Sequence, residues 1–123
     1  MKNDKANFKV ELKLRMYNWT LRLIKAIDSL PGDGSSQIMA RQVLRSGTSI
    51  GANYIGAQAA SSKKDFANFL HHSLKSANES KFWLALLRDS GKMKREDADL
   101  LLKELDELAR ILGSSLITVK GRR

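Results

Sequence analysis

Three short clusters of turn-forming residues divide this chain into four segments of nearly equal length, and this division limits the folds that it can adopt. The only proline, Pro31, lies in the first cluster, where Ser35 or Ser36 is a plausible N-cap for the segment that follows. Gly91 in the third cluster suits the end of a helix. The clusters span residues 30–36, 61–65 and 89–92, and they leave segments at about 5–30, 36–60, 64–89 and 94–119.

The apolar residues of these segments recur every three or four positions, which is the period of an α-helix. The stripe of the third segment includes two small polar residues, Ser73 and Ser80, at positions that keep this step. No segment alternates with the period of two that predicts a strand. We therefore predict one all-α domain over residues 1–123. It should be an up-down-up-down four-helix bundle with a basic C-terminal tail at 120–123.

The first segment carries two apolar lines where one bundle seam needs only one. The first line, which we expect to face the core, consists of Phe8, Leu12, Met16, Trp19, Leu23, Ile27 and Leu30. The second line follows an adjacent face and consists of Val10, Leu14, Tyr17, Leu21 and Ile24. Either the helix is broadly buried within a monomer, or one of its faces meets another subunit. We favour the second alternative and predict a homo-oligomer.

A run of small residues from Arg45 to Ala60 includes three glycines, Gly47, Gly51 and Gly56. An interior glycine costs about 1 kcal/mol of helix propensity relative to alanine, so a solvated helix gains nothing from three of them. The run is either a flexible loop or a helix whose small side chains let neighbouring backbones approach closely. We favour the helix, because no proline or acidic turn cluster interrupts the run. The candidate residues for helix or subunit packing are Gly47, Ile50, Gly51, Tyr54 and Trp83.

The chain has a formal net charge of +9, from 22 lysines and arginines against 13 acidic residues, and this charge is unevenly distributed. Residues 34–64 contain no acidic residue, and neither does the tail after Arg110. Such a balance favours a polyanionic partner, although a basic protein can also be merely soluble. We predict that RNA or DNA binds through its phosphates with little sequence specificity, because no recognition motif is present. The candidate contact residues are Arg41, Arg45, Lys63, Lys64, Lys120, Arg122 and Arg123.

No group of residues in the sequence points to catalysis or to a cofactor. The chain has no cysteine, and its only histidines, His71 and His72, point about 100° apart on a helix and cannot chelate one metal together. The acidic residues between positions 96 and 107 are typical of a solvated helix face. We therefore predict a protein that is not an enzyme and needs no metal or cofactor. The polar N-terminus and the lack of a long apolar run predict a cytoplasmic location and no membrane partner.

Four motifs resemble those of the bacterial four helix bundle protein family, also called the 23S rRNA intervening-sequence proteins. They are RSGTSIGAN at 45–53, SKKDF at 62–66, KFWLALL at 81–87 and RILGSS at 110–115. The last motif and the basic tail after it are also similar to a relative of this family, the accessory variability determinant of diversity-generating retroelements. Where this family often has acidic residues, the chain has Gly56 and Ser76, so this copy is more basic.

The resemblance implies a homopentameric barrel of up-down four-helix protomers. For the retroelement relatives it also implies a basic surface that engages nucleic acid and a partner reverse transcriptase. The family name implies a genomic origin and not a ribosomal activity. We therefore expect a non-enzymatic accessory protein that binds nucleic acid. The alternative is a structural or protein-interaction scaffold with no nucleic-acid role, and salt-dependent binding to RNA and DNA separates the two.

Overall fold

A computed structural model of the protein describes residues 2–121, with side chains described from residue 7 to residue 121. Within this part of the chain the structure consists of four α-helices joined by short turns and contains no strand, which confirms the predicted four-helix, all-α fold. The helices are α1 (Lys2–Asp28), α2 (Gly34–Gln58), α3 (Lys63–Asp89) and α4 (Arg95–Gly121). The small-residue run thus lies within α2 and is not a loop.

The turn between α1 and α2 differs from the sequence prediction in one respect. Asp33, and not Ser35 or Ser36, is the N-cap of α2, and its carboxylate accepts a hydrogen bond from the backbone N–H of Ser36 at 3.3 Å. The same carboxylate accepts hydrogen bonds from both serine hydroxyls and from the Lys92 ammonium. The Ser36 hydroxyl makes the largest contribution to holding the pKa of Asp33 well below its usual range. Because the Asp33 carboxylate accepts four hydrogen bonds, it caps α2 in place of a serine hydroxyl.

The other two turns agree with the sequence. Ser62 is the N-cap of α3, and its hydroxyl accepts a hydrogen bond from the backbone N–H of Asp65 at 3.0 Å. Gly91 lies just after the C-cap Ser90 of α3 and has a φ of +78°, the only positive φ between residues 2 and 121. This left-handed conformation is easily adopted by glycine, and it lets the N–H of Lys92 reach the carbonyl of Leu87.

Each helix packs against the next in the sequence, and α4 returns to α1. Consecutive helices are antiparallel, because residues late in one helix contact residues early in the next. The contact of α2 with α3 is the most extensive and that of α1 with α4 the least. The indole N–H of Trp19 crosses this last seam and donates to the carbonyl of Leu101 at 2.9 Å.

The α2–α3 contact is close because small residues line it. The hydroxyls of Ser46 and Ser80 lie 2.8 Å apart, and the Ser73 hydroxyl donates to the backbone carbonyl of Ile50 at 2.8 Å. All three serines are fully buried, and each hydroxyl has a partner. The predicted positions of Ser73 and Ser80 in the buried stripe of the third segment are confirmed. Tyr54 is also buried, whereas Trp83 is only partly buried.

The three glycines of α2 have unequal surroundings. A methyl group on Gly47 would lie 2.3 Å from Leu23 Cδ2, and one on Gly56 would lie 2.5 Å from the ring of Phe69. At Gly51 the nearest atom would be Met16 Cβ at 3.9 Å, which is an ordinary contact. Close approach to a neighbouring helix therefore occurs at Gly47 and Gly56. Within the single chain Gly51 makes no such close approach and lines an open part of the α1–α2 groove, so its role in packing between subunits stays a prediction.

Of the two apolar lines on α1, only the first enters the core. Leu12, Met16, Trp19 and Leu23 are buried, although Phe8 at the start of that line remains 49% exposed. The residues of the second line lie on the side of the helix away from the core, and not on an adjacent face as the sequence predicts. We call them the outer line of α1, and they are 38–62% exposed: Val10, Leu14, Tyr17, Leu21 and Ile24. The chain therefore does not bury α1 broadly, and the first of the two alternatives from the sequence is wrong.

Candidate nucleic-acid interface

Four acidic side chains of α4 are paired with cations of the neighbouring helices. Arg15 of α1 contacts Glu104 and Glu107, each at 2.9 Å. The hydrogen bond from Arg15 holds the pKa of Glu104 below its ordinary value. On the other side of α4, Lys81 of α3 contacts Asp106 at 3.1 Å. Arg88 of α3 contacts Asp99 at 2.9 Å, so acids of α4 are neutralised along both of its seams.

Helix α2, unlike α4, has no carboxylate side chain, because residues 34–64 contain no acidic residue. Arg41 and Arg45 are both exposed on α2, one turn apart as the sequence predicts. Arg45 pairs with Glu79 of α3 and also donates to the side-chain oxygen of Gln42. Arg41 has no ion-pair partner among residues 7–121. Of the two arginines, Arg41 is therefore the better candidate for a phosphate contact.

The predicted lysines form a second group, separated from the arginines. Lys63 and Lys64 begin α3, and Lys120 is close to the end of α4, so all three lie at the same end of the bundle. Arg45 lies 13 residues before the end of α2, which places it about 20 Å from that end. The predicted basic residues thus form two groups and not one patch. Arg122 and Arg123 lie outside the described residues.

Two exposed aromatic features of the bundle are not evident from the sequence. At the end of the bundle that carries the lysines, an open groove of about 650 Å³ is lined by residues of α1, α3 and α4, including Phe8 and Phe66. On the outer face of α3, Phe82 is 60% exposed and packs edge-to-face against Trp83, with ring centroids 5.1 Å apart. The only signal in the sequence is that Phe82 stands beside the α3 stripe. Phe8 instead fits the buried stripe of α1, so periodicity alone misplaces it.

The structure offers no arrangement of metal ligands in the part that it describes. Between residues 7 and 121, no group of three histidine or acidic side chains is positioned to hold a metal ion. His71 and His72 are exposed, with their rings in an edge-to-face arrangement and their centroids 6.3 Å apart. Across residues 2–121, none of the helices combines the length and the apolar character that crossing a lipid bilayer requires.

Four antiparallel helices around one apolar core define this chain as an all-α four-helix bundle protein. The family described as 23S rRNA-intervening sequence protein matches residues 9–114, and the chain belongs to this family. The predicted resemblance to that family is therefore confirmed, while the relationship to the retroelement accessory protein stays a prediction.

A solved structure supports the same assignment. The chain is similar to a crystal structure of a protein with unknown function from the S23 ribosomal protein family of Bacteroides thetaiotaomicron. The two sequences are 34% identical, the similarity covers 85% of this chain and 97% of the other, and the TM-score is 0.80. No curated protein matches this chain.

Proposed function

We propose that this protein is a non-enzymatic, homo-oligomeric accessory protein that binds RNA or DNA through phosphate contacts with little sequence specificity. The observation that carries the proposal is the separation of charge in the bundle. Acids of α4 are paired along its seams, while α2 contributes no acid. Arg41 on α2 and Lys64 and Lys75 on α3 are exposed and have no ion-pair partner among residues 7–121.

Exposed cations of this kind suit a phosphate backbone better than a base edge. A lysine or arginine that contacts a phosphate releases a condensed counterion, and this release drives binding at low salt. Phosphate contacts position a nucleic acid but carry no information about its sequence. These cations lie along helix sides and at a helix start, and within residues 2–121 every helix packs against two others, so none of the described helices is free to enter a nucleic-acid groove. Binding should therefore depend strongly on salt and weakly on sequence.

Assembly of several chains would strengthen such weak contacts. The outer line of α1 is an exposed apolar strip that a second copy of the chain can cover, and the resemblance to the family indicates a pentamer. Repeating Arg41, Lys64 and Lys75 around a ring multiplies the number of phosphate contacts without a new type of contact, which raises avidity. Because the motif at 110–115 and the basic tail after it resemble those of the retroelement relatives, we further propose a reverse transcriptase as a protein partner.

The test is fluorescence anisotropy with labelled RNA and DNA duplexes of two unrelated sequences over a series of salt concentrations. The logarithm of the binding constant should fall with the logarithm of the salt concentration, with a slope of about −0.9 for each duplex phosphate neutralised. Arg41→Glu should weaken the binding of every probe and make that slope shallower. We choose Arg41 because the reversal of Arg45 would also leave Glu79 without its ion-pair partner.

The matched control is Lys103→Glu, which makes the same change in charge at an exposed position of α4. Lys103→Glu should weaken binding clearly less than Arg41→Glu does. Equal effects of the two variants would mean that only net charge matters and that the α2 side is not the interface. If the wild-type protein bound neither RNA nor DNA at low salt, the proposed function would be wrong.

A protein-interaction scaffold is the second candidate, and the outer line of α1 is the observation that favours it. A line of five exposed apolar residues along one side of a helix is unusual for a monomer and favours a protein contact. If such a contact is the whole function, the protein assembles or binds a protein partner but shows no salt-dependent binding to nucleic acid. The anisotropy experiment therefore separates the two candidates.

A further inference from the structure

The open groove at the end of the bundle where α1 begins and α4 ends combines apolar and charged walls. Phe8 of α1, Phe66 of α3 and Ile111 of α4 form the apolar part of its lining. Lys9 and Arg110 also line the groove, together with hydroxyl groups of α4 such as that of Ser115. Its volume of about 650 Å³ lies within the range of sites that hold small organic groups, about 300–1,000 Å³. The open groove therefore has room for a flat aromatic group of a ligand.

The aromatic residues of the groove differ in how firmly they are held. Phe66 packs against the buried core and is partly buried, so its position is set by the fold. Phe8 is 49% exposed and is not part of the core, which leaves its ring available to a ligand. Aromatic side chains at such a position can stack on the face of a nucleobase, whatever the identity of that base.

The charges around the groove favour an anionic ligand. Lys9 is exposed and has no ion-pair partner among residues 7–121. Lys64, two residues before Phe66, is likewise exposed and has no ion-pair partner among these residues. Arg110 pairs with Asp106 through one nitrogen, and the remaining N–H groups of its exposed guanidinium can donate to a phosphate. Among residues 7–121, Glu107 is the only carboxylate in the lining, and it is already paired with Arg15.

We infer that this end groove holds an unstacked base of a single-stranded nucleic acid, with Phe8 stacking on the base and Lys9, Lys64 and Arg110 contacting the flanking phosphates. A positively charged groove combined with aromatic rings is the usual composition of a single-strand site. A duplex cannot use this groove in the same way, because its bases are stacked and only their edges are accessible. The inference rests on the proposed function and adds to it a preference for single strands.

The experiment measures the affinity of one labelled 12-nucleotide DNA of mixed sequence, first single-stranded and then annealed to its complement, for the full chain at low salt. The test variant is Phe8→Leu, which keeps an apolar side chain but removes the ring. It should weaken single-strand binding by about 5- to 150-fold, the effect expected from the loss of one stacked base. Duplex binding should stay unchanged. Circular dichroism and light scattering should show the helicity and the mass of the wild-type protein.

The control is Phe82→Ala, a larger truncation that removes an exposed ring on the outer face of α3, outside the groove lining. This variant should leave both affinities unchanged. A probe with 5-iodouracil at its centre should cross-link on irradiation to peptides that contain Phe8 or Phe66.

Three results would overturn the inference, and they differ from the failure of the proposed function. One is an equal loss of single-strand and duplex binding in Phe8→Leu, and another is no loss of either. The third is a loss in Phe82→Ala as large as that in Phe8→Leu. In each case salt-dependent binding by the wild-type protein would still support the proposed function. If the wild-type protein bound neither probe, both the proposed function and this inference would be wrong.

Discussion

The contact between α1 and α2 at Gly47 allows the packing of the bundle to be tested by adding a single methyl group. In Gly47→Ala, the new Cβ would lie 2.3 Å from Leu23 Cδ2 and 3.4 Å from Trp19 Cζ3. Leu23 is completely buried, so its methyl group cannot rotate into open space. Trp19 cannot readily withdraw either, because its indole N–H is bonded to the carbonyl of Leu101.

Two opposing effects determine the change in the free energy of unfolding. Replacing a helical glycine with alanine stabilises by about 1 kcal/mol through helix propensity. Overpacking a buried contact costs about 1–3 kcal/mol. The variant should therefore range from unchanged to about 2 kcal/mol less stable. For a chain of this length each kcal/mol corresponds to about 3–5 °C in Tm.

Gly113→Ala isolates the packing contribution. Gly113 is also within a helix, but a Cβ at this position would meet nothing within 4 Å, so only the gain of about 1 kcal/mol should appear. Urea unfolding at a fixed protein concentration should therefore separate the two variants by about 1–3 kcal/mol. In a Leu23→Ala background the clash is removed, and Gly47→Ala should become stabilising. Equal stabilities of the Gly47→Ala and Gly113→Ala variants would refute the close approach of α1 and α2.

Two further predictions concern the ion pair of Arg15 and the outer line of α1. Because the hydrogen bond from Arg15 holds the pKa of Glu104 below its ordinary value of 4.5, the stability from this pair is present above that pH and is lost as the pH falls through the lowered pKa. Glu104→Gln should thus lower the urea midpoint at pH 7. The difference in urea midpoint between this variant and the wild type should become smaller as the pH is lowered. A difference in midpoint that does not change with pH contradicts this coupling. Leu14→Glu combined with Leu21→Glu should reduce the mass seen by light scattering to that of a smaller assembly, whereas Ile117→Glu, at an exposed apolar position of α4, should not. A mass that none of these variants changes would exclude the outer line as a subunit contact.

The position of each helix could be predicted from the sequence, because the signals are local. Apolar residues at a spacing of three or four define a helix face within one segment, and Pro31 and Gly91 interrupt the helices through their own backbone preferences. The burial of Ser73 and Ser80 could be predicted for the same reason, since both keep the spacing of the stripe. The helix face of Arg41 could be predicted from the sequence. The absence of an ion-pair partner for Arg41 among residues 7–121 could not.

Only the tertiary structure determined which helix faces are buried and which residues make contacts between helices, where the local sequence pattern allows more than one arrangement. Both apolar lines of α1 have the spacing of a helix face, and packing against α2 and α4 selected one of them for the core. The rotation of α2 about its axis determined that Gly47, and not Gly51, contacts α1 closely. Arg45 forms an ion pair with Glu79, which lies 34 residues away in the sequence. The end groove requires the ends of three helices to meet, and no local pattern encodes such a meeting because it depends on contacts between residues distant in the chain.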